Sequence, residues 1–384
     1  MMSIYLDNAA TTQVSPEAVS AAVHVMTTQY GNPSSRHSLG LTAAAQVKNN
    51  RATIAATLGC LPEELFFTSG GTESDNWAVS IATNLGRRIG KHIITTAFEH
   101  AAVLEPIRAL EQQGYAVTYL PSDPSGHFSL SDLSNALRPD TVLVSLMLVN
   151  NETGAIQPIA DAAQLVHRTS ALFHTDAVQG FLKMEFSPKT LGVDLLTLSA
   201  HKIAAMKGSG ALYIRKGLKP RPLLRGGGQE NNLRSGTEFT PQIAAFAAAC
   251  QFGSQNLRKH IAYLNHLKTY TLQALRTVPG LVVVSAGDAP HICAISMPGF
   301  PSEMLVRDLS DRGICVSSGS ACHKGKPSHV FAAMKLQPDV LLGILRISFS
   351  VGNTKEDADA LVSALIQIAA SRISLHYPHH DSNN

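Results

Sequence analysis

Leu65-Phe66-Phe67-Thr68-Ser69-Gly70-Gly71-Thr72-Glu73-Ser74-Asp75-Asn76 is the stretch that decides the fold. A short β-prone apolar run ends in two glycines, and residues 72–85 then have helix length. The next β-rich run is His92-Ile93-Ile94-Thr95-Thr96. The alternation continues through Val117-Thr118-Tyr119-Leu120, residues 141–149, Leu172-Phe173-His174-Thr175, residues 195–199 and residues 211–214, with a helix-length segment at 103–113. Strands alternating with helices specify a mostly parallel sheet with helices on both faces. Ligands of such sheets sit beyond the carboxyl ends of the strands, so the loops after the runs are where chemistry is expected.

Outward from this region, residues 220–242 break the alternation with Gly226-Gly227-Gly228 and polar residues. A helical stretch then runs toward Pro279-Gly280, with Leu257, Ile261, Leu264 and Leu275 on a 3.6-residue period. Strand candidates at 281–284, 292–296, 314–317 and 346–350, with helices between, predict a smaller α+β domain. Thr354 is the expected N-cap of a last long helix ending near Ile373. The expected division is a large domain over 15–255, a small domain over 1–14 and 256–375, and a frayed polar tail over 376–384.

Composition narrows the class. Of 384 residues, 45% are apolar and 15% charged, against roughly a quarter charged in ordinary globular chains. Disorder, coiled coil and collagen are excluded, and a large core or a buried subunit interface is favoured. With 31 basic and 28 acidic residues the net charge is +3, so direct nucleic-acid binding has no electrostatic support. Residues 1–12 lack the basic and apolar regions of a signal peptide. The longest apolar stretch, residues 243–250, is far too short for a membrane span. A soluble cytoplasmic protein is expected. Cys60, Cys250, Cys293, Cys315 and Cys322 are odd in number and lack CxxC spacing, so reduced thiols are the default.

Four stretches offer chemistry. Gly70-Gly71-Thr72 places backbone N–H groups and a hydroxyl at a helix start, an arrangement that suits a phosphate; the bland reading is a glycine turn with a Thr cap. Walker A and GxGxxG patterns are both missing. Ser199-Ala200-His201-Lys202 sets a lysine at the end of a buried strand, where poor solvation favours a Schiff-base amine; a snorkelling surface lysine is the commoner case. His174-Thr175-Asp176-Ala177-Val178-Gln179 sets a carboxylate at another strand end, fit to hold a protonated pyridine nitrogen or to cap a helix. Cys322 lies in the basic, Gly/Ser-rich run 317–326, which favours exposure and some thiolate character; an inert loop thiol is the evenly weighted alternative. Cys315, Cys322, His323 and His329 fit no standard zinc spacing, and no metal site is expected.

The sequence resembles cysteine desulfurases of the NifS/IscS type, class V aminotransferase relatives among the fold-type-I pyridoxal-phosphate enzymes. The resemblance is carried by Leu6-Asp7-Asn8-Ala9-Ala10-Thr11-Thr12, Gly31-Asn32-Pro33-Ser34-Ser35, residues 68–76, Glu99-His100 and Val149-Asn150-Asn151-Glu152-Thr153-Gly154. It continues in residues 174–179, His201-Lys202, residues 226–229, Arg234-Ser235-Gly236-Thr237 and residues 317–322. These matches keep their order across nearly the whole chain.

The resemblance implies an α/β fold with a mostly parallel seven-stranded sheet in a pyridoxal-phosphate-binding large domain. The small α+β domain would carry the catalytic Cys loop. By similarity, Lys202 binds the cofactor covalently and moves protons, Asp176 pairs with the pyridine nitrogen, and Gln179 meets the phenolate oxygen. His100 stacks on the ring and serves as acid or base. Gly71, Thr72, Ser199 and His201 match phosphate contacts, and Thr237 matches one donated by a second subunit, which implies a homodimer. Asn151 and Arg346 match contacts to the carboxylate of L-cysteine. Cys322 would take the substrate sulfur as a persulfide, release alanine, and pass the sulfur to an acceptor protein, an iron–sulfur scaffold or a tRNA-thiolation enzyme.

The chain departs from the family in Ala200, in Met206-Lys207-Gly208, in His323-Lys324, and in only four residues between Cys322 and Pro327. This short loop is expected to limit delivery to a standard scaffold. Other readings are a selenocysteine lyase or another class V enzyme, a non-catalytic sulfur- or metal-binding partner protein, and a Cys315–Cys322 redox switch.

Overall fold

The computed structural model describes residues 3–318 and 328–376. It forms two compact units. The larger comprises Thr11–Asn151 and Ile156–Arg258; the smaller comprises Met1–Ala10, Glu152–Ala155 and Lys259–Asn384. Glu152–Ala155, inside the expected large domain, groups with the smaller unit because its carbonyls are satisfied there. Gly154 O accepts from Ala289 N (2.8 Å) and Thr153 O from Ser285 Oγ (2.8 Å).

Strand β1 (Ile4–Tyr5) belongs to the smaller unit. Seven strands then follow in the larger: β2 (Leu65–Thr68), β3 (His92–Thr96), β4 (Ala116–Leu120), β5 (Thr141–Ser145), β6 (Leu172–Asp176), β7 (Leu195–Ser199) and β8 (Gly210–Ile214). They form one sheet in the order β2-β8-β7-β6-β5-β3-β4. Only β8 is reversed, pairing antiparallel with β2 and β7. Residues 200–209 are too few for a crossover helix, so the chain turns straight back. The other pairs are parallel. Thr68, Thr96, Asp176 and Ser199 therefore end their strands at one edge of the sheet, the edge where ligands of such sheets bind.

Burial on both faces explains the unbroken apolar runs; all five residues of β3, β5, β7 and β8 are buried. The expected strand 141–149 stops at Ser145. Beyond it, Leu146 and Leu148 still donate to the carbonyls of His174 and Asp176, but the Met147 N–H goes to the Glu99 carboxylate at 2.9 Å. That diversion ends regular pairing. The helical stretch after residue 240 is two helices, Thr240–Gln255 and Leu257–Leu275, separated at Asn256, which leaves helical geometry at φ −112° and ψ 6°. The Ala-rich 243–250 segment of the first packs against helices Pro16–Thr27 and Ser38–Leu58, where small side chains allow close approach.

In the smaller unit, β9 (Val282–Ser285), β10 (Ile292–Ser296) and β12 (Ile344–Ser348) make an antiparallel sheet in the order β12-β10-β9. β11 (Ile314–Cys315) pairs in parallel with β1, with Ile4 opposite Ile314. Leu267, Cys293, Ile295, Leu305, Leu345 and Leu365 are among the residues of its core. The last helix, Lys355–His376, starts where expected. Thr354 Oγ1 accepts from Asp357 N (3.3 Å) and Asp357 Oδ2 from Thr354 N (3.1 Å), a reciprocal cap. Residues 377–384, most of the expected tail, lie outside the described residues.

Candidate active site

The helix Gly71–Gly86 leaves β2 through Gly70, whose φ of 152° and ψ of −174° favour a residue without Cβ. Among the described residues no side chain caps its first turn. A Cβ on Gly71 would lie 3.1 Å from Val178 Cγ2 and 3.6 Å from Ser199 Cβ, so the glycine keeps a narrow space open between the helix start and the end of β7. Gly70, Gly71 and Ser199 thus meet, and Thr72 follows on the exposed side of the first turn. Backbone N–H groups at a helix start, with a hydroxyl opposite, form an anion cradle.

Ala200–Lys202 is a single 3₁₀ turn directly after β7. His201 is fixed from two sides: its carbonyl accepts from Thr12 Oγ1 at 2.8 Å, and its Nδ1 lies 3.2 Å from Thr11 Oγ1. Burial, with Lys202 and Lys207 nearby, lowers His201 to about 4, so the imidazole is neutral and can donate a hydrogen bond without charge. Lys202, half-buried, faces Asp176 closely enough to favour its ionised form.

Asp176 ends β6 as a buried side chain, and its Oδ1 accepts from Val178 N at 2.8 Å. Burial raises its pKa; His100, the Val178 N–H and Lys202 oppose that rise. His100 caps the helix Ala101–Glu111, its Nδ1 accepting from Ala102 N at 3.1 Å, which sets the ring's orientation. A ring nitrogen of His100 and carboxyl oxygens of Asp75 and Asp176 lie within 4.8 Å of one another. Gln179 is buried in the turn after β6, and Asn151 is half-buried at the end of its segment. Thr237 is exposed, ahead of the helix Thr240–Gln255.

A second layer of polar groups lies behind these. His174 Nδ1 is 2.8 Å from Ser145 Oγ, and its Nε2 is 3.0 Å from Thr197 Oγ1. Complete burial lowers His174 to about 3, so its 3.6 Å approach to Asp75 is no ion pair. Glu99, fully buried, accepts from Thr96 Oγ1 (3.0 Å) as well as from Met147 N, yet burial still carries it up to about 8. These residues sit inside the motifs quoted above, but no role was legible for them. The available signal was a set of carboxyls at the edges of otherwise apolar runs.

In the smaller unit, Arg346 sits mid-strand in β12, 6% exposed, with Nη2 donating to Asp7 Oδ1 at 2.7 Å. Its backbone exchanges two hydrogen bonds with Ser317. Burial raises the nearby Glu152 to about 7, against the Ser328 hydroxyl and Arg346. Cys322 lies outside the described residues, as do Gly319 to Pro327 around it.

The residues present fit pyridoxal phosphate: an anion cradle that a Cβ would narrow, a half-buried lysine, and a buried carboxyl supported by cations. Fold and site together define an α/β enzyme of the pyridoxal-phosphate class. The sequence pattern of the aminotransferase class-V family matches residues 4–361, and the chain belongs to that family. It is 40% identical over 372 residues to the cysteine desulfurase IscS of Methanosarcina thermophila, covering 95% of this chain and 92% of that one. It is 41% identical over 364 residues to the putative cysteine desulfurase IscS 1 of Bacillus subtilis strain 168, covering 93% and 96%. A solved NifS-like protein superposes with a TM-score of 0.91 at 36% identity, covering 96% of this chain and 100% of that one.

Proposed function

We propose that the protein is a pyridoxal-phosphate-dependent cysteine desulfurase. The observation that carries this reading is Lys202 at the end of β7, facing the buried Asp176 and following the Ser199 wall of the anion cradle. Bound there, pyridoxal phosphate would supply an electron sink that labilises the Cβ–Sγ bond of L-cysteine. Gly71, Thr72, Ser199 and the neutral His201 would hold its phosphate, Asp176 its ring nitrogen, and Gln179 its phenolate oxygen. Lys202 would hold and move the proton at the substrate Cα, with His100 as a second acid or base. Arg346 and Asn151 would take the substrate carboxylate, the guanidinium through two parallel hydrogen bonds.

Cys322, as thiolate, would attack the substrate sulfur. One S–S bond forms, the Cβ–Sγ bond breaks, and the substrate thiol proton ends on the methyl group of L-alanine. The products are alanine and a Cys322 persulfide whose sulfur passes to an acceptor protein, an iron–sulfur scaffold or a tRNA-thiolation enzyme. The exposure of Thr237 suits a contact given to the site of a second copy in a homodimer. Among the described residues no helix is long and apolar enough to cross a membrane. Cys60, Cys250, Cys293 and Cys315 are free thiols, in keeping with a cytoplasmic setting.

The test pairs wild type with Cys322→Ala. Loaded wild type given L-cysteine and a reductant should release alanine and sulfide in equal amounts, and the yellow variant should release neither. A yellow wild type that forms no alanine would overturn the reading. Selenide release from L-selenocysteine, without sulfide release from L-cysteine, would shift it to a selenocysteine lyase.

A further inference from the structure

Buried acids outnumber the cations near them at the strand ends of the larger unit. Asp75, Glu99 and Asp176 are 1%, 0% and 7% exposed. The groups facing Asp75 are Asp176 and His174 from β6, Thr197 from β7, and Glu99 and His100 from the loop after β3. Three buried carboxylates this close in one unit resist ionising together, because each loses the solvation of water and repels the others.

The hydrogen bonds show where the charge resides. Asp176 has the Val178 N–H on Oδ1, with His100 and Lys202 both favouring its anion. For Asp75 the Thr197 hydroxyl is the group that favours the anion, and among the described residues its buried Oδ1 accepts no hydrogen bond. Both ring nitrogens of His174 are engaged elsewhere, Nε2 with Thr197 Oγ1 at 3.0 Å and Nδ1 with Ser145 Oγ at 2.8 Å. Burial keeps His174 neutral, so its single ring proton serves one of these hydroxyls and no second proton is left for Asp75. An anionic Asp75 would keep one oxygen bare of donors beside two other acids; a neutral one avoids that cost. Burial, with Asp176 and Glu99 adding repulsion, correspondingly raises Asp75 well above the usual carboxylate range.

We propose that Asp75 is a positioning residue that remains a neutral carboxylic acid in the working protein and so confines the negative charge of this cluster to Asp176. Its consequence for the cofactor rests on the reading of Asp176 given above, whereas the charge assignment rests on this unit's own hydrogen bonds. Asp75 would keep Asp176 anionic by declining to compete for the cations around it. An ionised Asp75 would instead draw a shared proton between the two carboxyls and weaken the charge offered to a pyridine nitrogen.

The test uses full-length, pyridoxal-phosphate-loaded protein carrying ¹³C-labelled aspartate carboxyls. At neutral pH one aspartate signal is expected in the protonated range, and it should vanish in Asp75→Asn. Wild type with every aspartate in the ionised range overturns the proposal, and this outcome does not require a variant to fold. A protonated signal that survives Asp75→Asn but vanishes in Asp176→Asn also overturns it, since the proton would then sit on the wrong acid. The visible absorption of Asp176→Asn separates the two readings. If the cofactor band is unmoved, Asp176 is not the nitrogen's partner, whatever the carbon signals say of Asp75.

Discussion

Arg346 Nη2 and Asp7 Oδ1 are 2.7 Å apart, joining the centre of β12 to the first segment of the chain, 339 residues away in sequence. The arginine is nearly buried and the aspartate partly exposed. A guanidinium held on one side by a carboxylate is pre-oriented, which suits the carboxylate-binding role proposed for Arg346.

Asp7→Asn keeps the shape and removes the charge. A hydrogen bond to a charged group contributes about 2 kcal/mol, and the variant should lose stability of that order in urea unfolding. With the guanidinium less firmly aimed, KM for L-cysteine should rise roughly tenfold, the equivalent of about 1.4 kcal/mol. A fall in kcat at constant KM would place Asp7 elsewhere in the reaction.

Glu152 gives a pH signature. Burial holds it near about 7 in the folded chain, whereas an unfolded glutamate ionises near about 4.3. Between those values the folded state keeps a proton that the unfolded state has lost, so stability falls as pH rises through the window and then levels off. Glu152→Gln removes this titration. Its stability relative to wild type should climb from pH 4 to pH 8 by on the order of 3 kcal/mol, read as a widening difference in Tm. A difference that stays flat with pH would show that Glu152 is ionised throughout.

Gly210 supports the cradle from behind. It lies opposite both Thr68 and Ser199, and a Cβ there would come within 2.6 Å of Leu198 O and 2.7 Å of Gly70 Cα. Both obstacles are backbone, so Gly210→Ala must displace the turn that opens the helix Gly71–Gly86. Overpacking of this kind costs about 1–3 kcal/mol. The variant should keep its circular dichroism but lose pyridoxal phosphate on dialysis faster than wild type. Equal retention would mean that the turn absorbs the methyl.

Glu230 anchors the loop ahead of Thr237. Its Oε2 accepts from Arg51 Nη1 (2.8 Å) and Phe67 N (2.9 Å), and residues 230, 231 and 232 all have positive φ, at 49°, 54° and 63°. Such conformations persist only where the surroundings hold them. Glu230→Leu leaves Arg51 beside a buried apolar group and should cost about 3 kcal/mol or more. Adding Arg51→Met should recover part of that loss, as a double-mutant cycle in urea would measure. Strictly additive losses would show the pair to be uncoupled.

The sheet was legible because its strands fall in short β-prone runs rich in apolar and β-branched residues, separated by helix-length segments. Gly70-Gly71, Asp176 and Lys202 were legible because they stand directly after such runs, at the edge where parallel sheets bind ligands. The roles of Asp75, Glu99 and His174 were not. A carboxyl's charge depends on which groups surround it, and some of those are brought in from distant segments, as the Met147 N–H is to Glu99 across 48 residues of sequence. Nor did sequence indicate that Met147 would turn its N–H to Glu99 and end β5 early, or that Asn256 would divide one helical period into two helices. Local pattern determined the elements, their order and the loops that hold the reactive groups. The tertiary structure alone decided which buried acid bears the charge, because desolvation and hydrogen-bond supply are properties of the packed neighbourhood and not of the residue.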